Sequence, residues 1–364
     1  MAALPEARLV GGCVRDALSG QRVSDVDLAT PRRPEEVKAA LERAGLRAAP
    51  TGLDHGTITA VSGGRGFEIT TLRRDVETDG RRAVVAFTDD WREDAARRDF
   101  TINAMSMTRD GAVYDYFGGL ADLAAGRVRF VGDPATRIAE DYLRILRFFR
   151  FYARYHRGDP DPVTLAAIRD GVSGLASLSA ERVWAELVRI LAAPDPGRAV
   201  SLMARLGVLD AVLPEGADPA RLARLIASGA PPDPLLRLAA VLTGDAEHLA
   251  DRLRLSGAER TRLLALRSPP WPDPQADDAE LRRMLADTPA GILIGRAWLV
   301  RDGGEAWAEL PGRLAAIPAP VFPLEGRDVL AVGLTPGPRV GELLRQVRSW
   351  WLQGGCIADA AACR

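Results

Sequence analysis

Three residue types are scarce in this chain of 364 residues, which has 3 cysteines, 3 histidines and a single lysine, Lys38. An odd number of cysteines without regular spacing does not indicate a disulfide framework, and a reducing compartment suits it. The histidines lack the spacing of zinc ligands, so we expect no zinc site and no hydrolase module built on His-Asp pairs. They are His55, His156 and His248.

Long apolar runs and a strong net charge are also missing. No uninterrupted hydrophobic segment approaches the roughly 18 residues that a membrane-spanning helix requires, and the first residues do not resemble a secretory leader. The formal net charge of -1 argues against a uniformly basic surface, although such a total can hide a local basic stripe. We therefore expect a cytoplasmic protein with no membrane partner.

What is present changes along the chain. In residues 1–131, short apolar runs alternate with helical patterns. The stretch "PEEVKAALERAG" predicts a helix with Pro34 near its start and Gly45 just past its end, and two alternating runs joined by "GGRG" predict a hairpin. After residue 131 the pattern is helical, with breaks at clusters of proline, glycine and aspartate, the longest at 268–278. The sequence predicts a mixed α/β head followed by stacked helices.

Two aspartates separated by one valine point to metal chemistry. The stretch "VSDVDLAT" predicts a strand on which Asp25 and Asp27 share one face while Val26 turns to the other. Adjacent like charges repel unless a cation lies between them, and two Mg²⁺ ions held by carboxylates support phosphoryl transfer. Glu68 in "GFEITTLR" is the expected third carboxylate, because its strand is predicted to belong to the same sheet.

A pair of glycines precedes these aspartates. Gly11 and Gly12 lie between a predicted strand and a predicted helix, where a bare backbone and unpaired N–H groups can approach a phosphate closely. Arg15, one turn further on, can add a charge-assisted hydrogen bond to the same anion. We expect this segment to bind a triphosphate.

The stretch "EDYLRILRFFRF" predicts one helix with a charged stripe. A solvated face is one interpretation, with pairs such as Asp141 with Arg144 and Glu140 with Arg144 contributing about 0.2–0.5 kcal/mol each. Between positions 137 and 157, however, arginines clearly outnumber acids. Such excess charge suits phosphates and base edges if the helix faces the metal site. The stripe consists of Asp141, Arg144, Arg147 and Arg150.

Together these motifs resemble a known family. The sequence is similar to the class II nucleotidyltransferases, which include the bacterial tRNA CCA-adding enzymes and their poly(A) polymerase relatives. The resemblance is carried by "GGCVRD…DVDL", by "RRDFTINAM" and "EDYLRILRFFRF", and further by "YDYFGGLADL", "LSAERVWAEL" and "GLTPGPRVGELL". It implies a polymerase-β-like head with helical neck, body and tail domains that hold tRNA. The implied ranges are 1–131 for the head, 132–195 for the neck, 196–270 for the body and 271–364 for the tail.

The resemblance also implies roles for single residues. Asp25 and Asp27 correspond to the metal-binding aspartates of the family. Asp141 and Arg144 correspond to the pair that reads the incoming base. A carboxylate acceptor and a guanidinium donor suit the amino group and ring nitrogen of cytosine and adenine, whereas uracil and guanine present the reverse pattern. The implied triphosphate and nucleotide contacts are Gly12, Arg15 and Arg98, with Asp99 on the ribose hydroxyl. The implied substrates are CTP, ATP and the 3′ end and acceptor arm of tRNA.

The choice among family members depends on two segments. The chain ends in "GGCIADAAACR", whereas the poly(A) polymerases of the family tend to carry a long basic extension. Residues 73–94 are long, charged and glycine-hinged, whereas relatives that add only CC resemble this chain but lack such an arm. We therefore expect CCA addition, with poly(A) polymerase or partial CC- or A-addition as the alternatives. A noncatalytic RNA-binding protein and a small-molecule nucleotidyltransferase are more distant ones. The motif "TPGPRVG" at 335–341 is either a phosphate contact or a structural turn.

Overall fold

The computed structural model describes residues 1–53, 56–78, 83–300 and 304–364. The described chain forms two compact units, Met1–Pro214 and Glu215–Arg364. His55 and the predicted glycine hinge at Gly80 lie outside the described residues. The four predicted domain ranges stay predictions.

In the part of the chain that the structure describes, the strands all belong to the first unit. Seven of them form one mixed sheet in the order β3-β4-β5-β2-β1-β8-β9, in which β2 and β5 are parallel and the other neighbours antiparallel, while β6 and β7 pair separately. The bounds are β1 (Arg8–Val10), β2 (Asp27–Thr30), β3 (Arg47–Gly52), β4 (Thr57–Ser62), β5 (Arg65–Thr71), β6 (Arg73–Thr78), β7 (Ala83–Phe87), β8 (Ser106–Met107) and β9 (Val113–Tyr114).

Helices surround this sheet and continue through the rest of the chain. Those of the first unit are α1 (Gly12–Leu18), α2 (Pro34–Arg43), α3 (Trp91–Ala96), α4 (Gly119–Ala125), α5 (Pro134–Glu140), α6 (Leu143–Tyr155), α7 (Pro162–Gly171), α8 (Ala180–Leu191), α9 (Gly197–Arg205) and α10 (Val208–Val212). Those of the second unit are α11 (Pro219–Ala227), α12 (Pro234–Val241), α13 (Ala246–Arg252), α14 (Gly257–Leu266), α15 (Asp278–Asp287), α16 (Ala290–Val300), α17 (Glu305–Ala316), α18 (Gly326–Ala331) and α19 (Pro338–Gln353). An α/β head followed by helices is the predicted fold class, and it is confirmed.

Local sequence signals explain the first part of the sheet. The β4–β5 hairpin turns through Gly63 and Gly64, which have φ of 57° and 75°, and a two-residue turn of this kind requires positive φ at both positions. Helix α2 begins at Pro34 and ends just before Gly45, as predicted. Its apolar face packs on the sheet through a cluster that includes Val37, Leu41, Leu28 and Ile69.

The predicted strand through "VSDVDLAT" is wrong at its start. Strand β2 begins only at Asp27, and Asp25 lies in the irregular segment before it. The reason is the neighbouring strand: β1 pairs with β2 through Leu9 and Leu28, and the backbone then turns at Gly11. The residues before Asp27 therefore have no partner on that side of the sheet.

The predicted single helix through "EDYLRILRFFRF" is also wrong. Helix α5 ends at Glu140, Asp141 is extended with φ of -158° and ψ of 107°, and α6 begins at Leu143. The Asp141 carboxylate accepts a hydrogen bond from the backbone N–H of Leu143 at 3.1 Å. Aspartate competes with the helical backbone in this way and favours helix starts over helix interiors. Asp141 therefore lies between two helices rather than on a stripe with Arg144.

The second unit is helical. Leu281, Leu293, Leu310 and Leu314 belong to one of its apolar clusters, and Trp351 of α19 is buried in another. The "TPGPRVG" motif leads into α19, with Pro338 at its first position, and Arg339 there is exposed. None of the helices formed by the described residues combines the length and apolar character that a bilayer crossing requires.

Candidate active site

One open pocket of about 790 Å³ lies in the first unit, between the strand ends of the sheet and helices α6 and α8. It is bordered by every predicted site residue except Glu68. Those residues are Gly11, Gly12, Arg15, Asp25, Asp27, Arg98, Asp99, Asp141, Arg144, Arg147 and Arg150. The fold thus gathers side chains that are spread over 140 positions of the sequence, from 11 to 150.

Carboxylates meet where β2 begins. Asp27 is the register partner of Glu68 on the parallel strand β5, and both are exposed while their neighbours Leu28 and Ile69 are buried in the core. The pKa of Asp27 is raised, first by partial burial and then by the charge of Glu68, with a smaller contribution from Asp25, while Arg98 opposes the shift. Negative charge therefore predominates at this corner of the pocket.

The donor set at this corner fits a hard divalent cation. Within the described residues, no three histidine, cysteine, aspartate or glutamate side chains already form a closed metal cage. Mg²⁺ is commonly held by one or two carboxylates and completes its shell with water and substrate phosphates. An open pair of aspartates at the edge of a pocket matches that preference.

Gly11 lets an arginine lie across the start of α1. Its backbone has φ of 73° and ψ of -127°, and a Cβ at this position would come within 2.7 Å of Arg98 Nη1. Arg98 donates hydrogen bonds to Asp94 at 3.3 Å and to the Asn103 carbonyl at 3.4 Å. Only glycine permits this conformation together with this approach.

Arg15 is buried in the pocket wall rather than extended into solvent. Its Nε donates to Asp16 at 2.9 Å and its Nη1 to the Asn103 side-chain oxygen at 2.5 Å. The guanidinium lies 4.8 Å from the ring centre of Tyr155, whose hydroxyl donates to Asp16 at 2.6 Å. These contacts tie α1 to the end of α6.

Asp99 is a buried carboxylate with both oxygens engaged. One oxygen accepts from the Asn103 amide at 3.0 Å and from the Phe100 N–H at 2.9 Å, and the other accepts from Arg147 Nε at 2.7 Å. Burial alone would raise its pKa, but the charge of Arg147 and these hydrogen bonds hold it below the usual range. Sequence reasoning missed Asn103, which bridges Arg15 and Asp99.

The two predicted base-reading residues have partners other than each other. Arg144 Nη1 bonds to Glu140 and to the Arg137 carbonyl, the latter at 2.6 Å, so the predicted Glu140–Arg144 pair is present. Asp141 accepts instead from Arg182 of α8 at 2.7 Å. Arg182 was not predicted as a site residue; it lies in the "LSAERVWAEL" motif, which sequence reasoning noted only as a whole.

Helix α8 also supplies a buried carboxylate. Glu186, 3% exposed, lies 3.2 Å from Arg150, 3.3 Å from Arg189 and 3.9 Å from Arg147. Burial, followed by the charge of Arg147, lowers the pKa of Arg150 to about 10, so its guanidinium is still charged at neutral pH. Arg189 borders the pocket as well and was not predicted.

The "YDYFGGLADL" motif contacts a turn that lies next to the site. Asp122 is buried, bonds to Thr101 at 2.6 Å and pairs with Arg127 and Arg129. A Cβ on Gly119 would lie 2.2 Å from the Thr101 carbonyl oxygen. The motif therefore fixes the short 3₁₀ turn, Thr101–Asn103, that carries Asn103.

Two stretches of the chain match known protein families. Residues 7–129 match the poly A polymerase head domain, and residues 159–218 match a region described as a probable RNA and SrmB binding site of polymerase A.

Similar proteins cover nearly the whole chain. A relative from Danio rerio, "CCA tRNA nucleotidyltransferase 1, mitochondrial", is 40% identical, with 95% of this chain and 83% of the relative covered. A "CCA-adding enzyme" from Levilactobacillus brevis is 32% identical, with 93% and 87% covered. The solved structure of the Bacillus stearothermophilus CCA-adding enzyme in complex with CTP superposes with a TM-score of 0.73 at 27% identity, over 96% of this chain and 89% of that one.

Proposed function

The chain belongs to the family of CCA-adding tRNA nucleotidyltransferases, and from that premise we infer its reaction. It is an enzyme that adds CCA to the 3′ end of tRNA from CTP and ATP, without a nucleic-acid template and with release of pyrophosphate. The observation that carries this function is the pocket itself, where carboxylates at the start of β2 face the arginines of α6 and α8. A noncatalytic RNA-binding protein would have no use for those carboxylates.

The metal site in this proposal consists of Asp25 and Asp27, with Glu68 as the neighbouring carboxylate. Bound Mg²⁺ ions would neutralise charge on the attacking and leaving oxygens of the nucleotidyl transfer. The pKa of Asp27 is raised first by partial burial and then by the charge of Glu68, and a divalent cation bound here would relieve that repulsion between carboxylates. Glu68 acts through its charge next to Asp27 on the adjacent strand.

The nucleotide is held from two sides. Gly11 and Gly12 offer backbone N–H groups, and Arg15 and Arg98 offer positive charge, to the triphosphate. Asp99 accepts a hydrogen bond from the ribose hydroxyl. From α6, Arg147 and Arg150 add phosphate or positional contacts. Support comes from the shared pocket and from the burial of Arg15 and Asp99, which keeps both side chains in fixed positions.

Asp141 and Arg144 read the base in this proposal. The contacts described above use only Nη1 of Arg144 and leave the Nε and Nη2 edge available for a ring nitrogen. Each carboxylate oxygen of Asp141 keeps a second lone pair for an amino group. The partners Glu140 and Arg182 therefore hold the pair in place without using up its hydrogen-bonding capacity.

The RNA is bound by the helical remainder of the chain in this proposal. Its neck, body and tail, residues 132–195, 196–270 and 271–364, hold the acceptor arm, with support from the RNA-binding match over residues 159–218. We also propose a cytoplasmic location, although the Danio rerio relative is named as mitochondrial. A fluorescent fusion examined in the source cell decides between the two compartments.

The experiment uses purified protein, Mg²⁺ and tRNA lacking its terminal CCA. Labelled CTP alone, ATP alone and both together are supplied, and product length is read on a sequencing gel. Two additions with CTP and a third with both nucleotides support complete CCA addition. A product ending at CC, a single A or a long A tail identifies the partial enzymes or a poly(A) polymerase. Binding of tRNA with no label incorporated contradicts an enzymatic function.

A further inference from the structure

In the described part of the chain, only one of the two oxygens of the buried Glu186 carboxylate has arginine partners. Arg150 and Arg189 both approach its Oε1 atom, and the nearest contact of Arg147 is to the same atom. Oε2 is buried and has no hydrogen-bond partner among the described residues. Burying an unpaired carboxylate oxygen costs free energy, so a hydrogen-bond donor that reached Oε2 would stabilise the protein.

Arg147 lies between this carboxylate and a second one. Its Nε and Nη2 both bond to Asp99 Oδ2, while its Nη1 is 3.9 Å from Glu186 Oε1. The two acids come from different parts of the fold, Asp99 from the "RRDFTINAM" motif and Glu186 from α8. One guanidinium thus has two buried carboxylates within reach.

Nucleotide binding, as proposed, brings a further hydrogen-bond donor to Asp99. Its Oδ1 is already bonded to Phe100 and Asn103, and its Oδ2 receives two bonds from Arg147. A ribose hydroxyl that donates to Asp99 therefore competes with Arg147 for Oδ2. The displaced guanidinium is largely buried and needs another anionic acceptor to avoid a desolvation penalty.

We propose that Glu186 is a positioning residue that receives Arg147 when Asp99 binds the ribose hydroxyl. This inference rests on the proposed function, since it assumes that Asp99 contacts the ribose. In the exchange, Arg147 gives up one bond to Asp99 and donates to the free Oε2 of Glu186. The net charge of the cluster stays the same in the exchange.

The exchange makes ribose selection depend on α8. A deoxynucleotide lacks the competing hydroxyl and leaves Arg147 bonded to Asp99. Glu186 therefore does not contribute to the binding of a deoxynucleotide. A ribonucleotide gains both the hydroxyl contact and the new Arg147–Glu186 bond. Removing the acceptor at Glu186 therefore weakens the binding of CTP more than the binding of dCTP.

The test compares Glu186→Gln and Glu186→Asp with the wild type on tRNA that lacks CCA. Glutamine removes the charge, while aspartate keeps the charge and withdraws it by one methylene, so at least the second variant is expected to fold. The matched control is Glu215→Gln, because the Glu215 side chain is also buried and paired with an arginine, Arg252, but does not border the pocket. The measurements are kcat and KM for CTP and dCTP, tRNA affinity and Tm.

We expect both Glu186 variants to lower the CTP to dCTP ratio of kcat/KM about tenfold, mainly through a higher KM for CTP, because a charge-assisted hydrogen bond is lost. The control is expected to lower Tm with an unchanged ratio. A parallel loss for both nucleotides, or an unchanged ratio in Glu186→Asp, would overturn the proposal and leave Glu186 as a structural counter-ion. A wild type that incorporates CTP and dCTP equally well would refute the ribose role of Asp99, and one that incorporates neither would refute the proposed function.

Discussion

Asp27 lies beside Glu68 at the mouth of the pocket, in a position where its charge is opposed by other carboxylates. We expect Asp27→Ala to lower the transfer rate by about three orders of magnitude or more, because the variant removes a ligand of the proposed transition-state cation. Affinity for tRNA is expected to stay within about twofold, since the proposed RNA-binding segments lie elsewhere in the chain. Asp110→Ala, at an exposed turn away from the pocket, is the control. Wild-type turnover in Asp27→Ala with Mg²⁺ would contradict the metal assignment.

Asp141 and Arg144 are expected to determine base selection. In Asp141→Ala or Arg144→Ala, a wrong base no longer leaves a buried charged group unpaired, so discrimination against UTP and GTP should fall about tenfold. Arg147→Ala and Arg150→Ala are the matched controls and should reduce use of the four nucleotides more evenly. Relative incorporation of each nucleotide on one truncated tRNA measures the difference. Wild-type discrimination combined with a lower Tm would mean that the base is read elsewhere.

At the scale of elements, α4 supports the turn that carries Asn103. We expect Gly119→Ala to destabilise the protein by about 1–3 kcal/mol, because the added methyl group would overlap the Thr101 carbonyl and displace the backbone. Gly257→Ala is the matched control, since Gly257 is likewise the first residue of a helix, α14, and has open space around its Cβ position. Thermal unfolding and CTP incorporation measure both effects. Equal Tm values for the two variants would show that the turn adapts freely.

Elements with strong local signals were predictable, and elements set by distant partners were not. The glycine turn of the β4–β5 hairpin and the proline start of α2 are encoded within a few residues. The late start of β2 depends on where β1 ends, and the break at Asp141 is accompanied by a partner 41 residues away, Arg182. The residue types at the candidate site and the local Glu140–Arg144 pair could likewise be predicted. The partners that are distant in sequence could not, because those pairings exist only in three dimensions.

At the scale of the whole molecule, the proposed RNA binding depends on arginine, since Lys38 is the only lysine. We expect tRNA affinity to fall about a hundredfold between roughly 50 and 200 mM salt if about four phosphates are neutralised, and to be the same for tRNAs with different anticodons. Fluorescence anisotropy across a salt series gives the slope. An affinity that does not change with salt would contradict phosphate binding.

The hydrogen bonds that run from Arg15 through Asn103 and Asp99 to Arg147 have a mechanical consequence. They cross position 131, where the sequence predicts the end of the head, and join α1 and the 3₁₀ turn to α6 as one cooperative block. Opening a hinge there would break buried charged pairs together, which costs several kcal/mol. We therefore expect the amides of α1 and α6 to exchange with solvent through the same rare opening, so that substrates enter and leave without a hinge motion between these two helices.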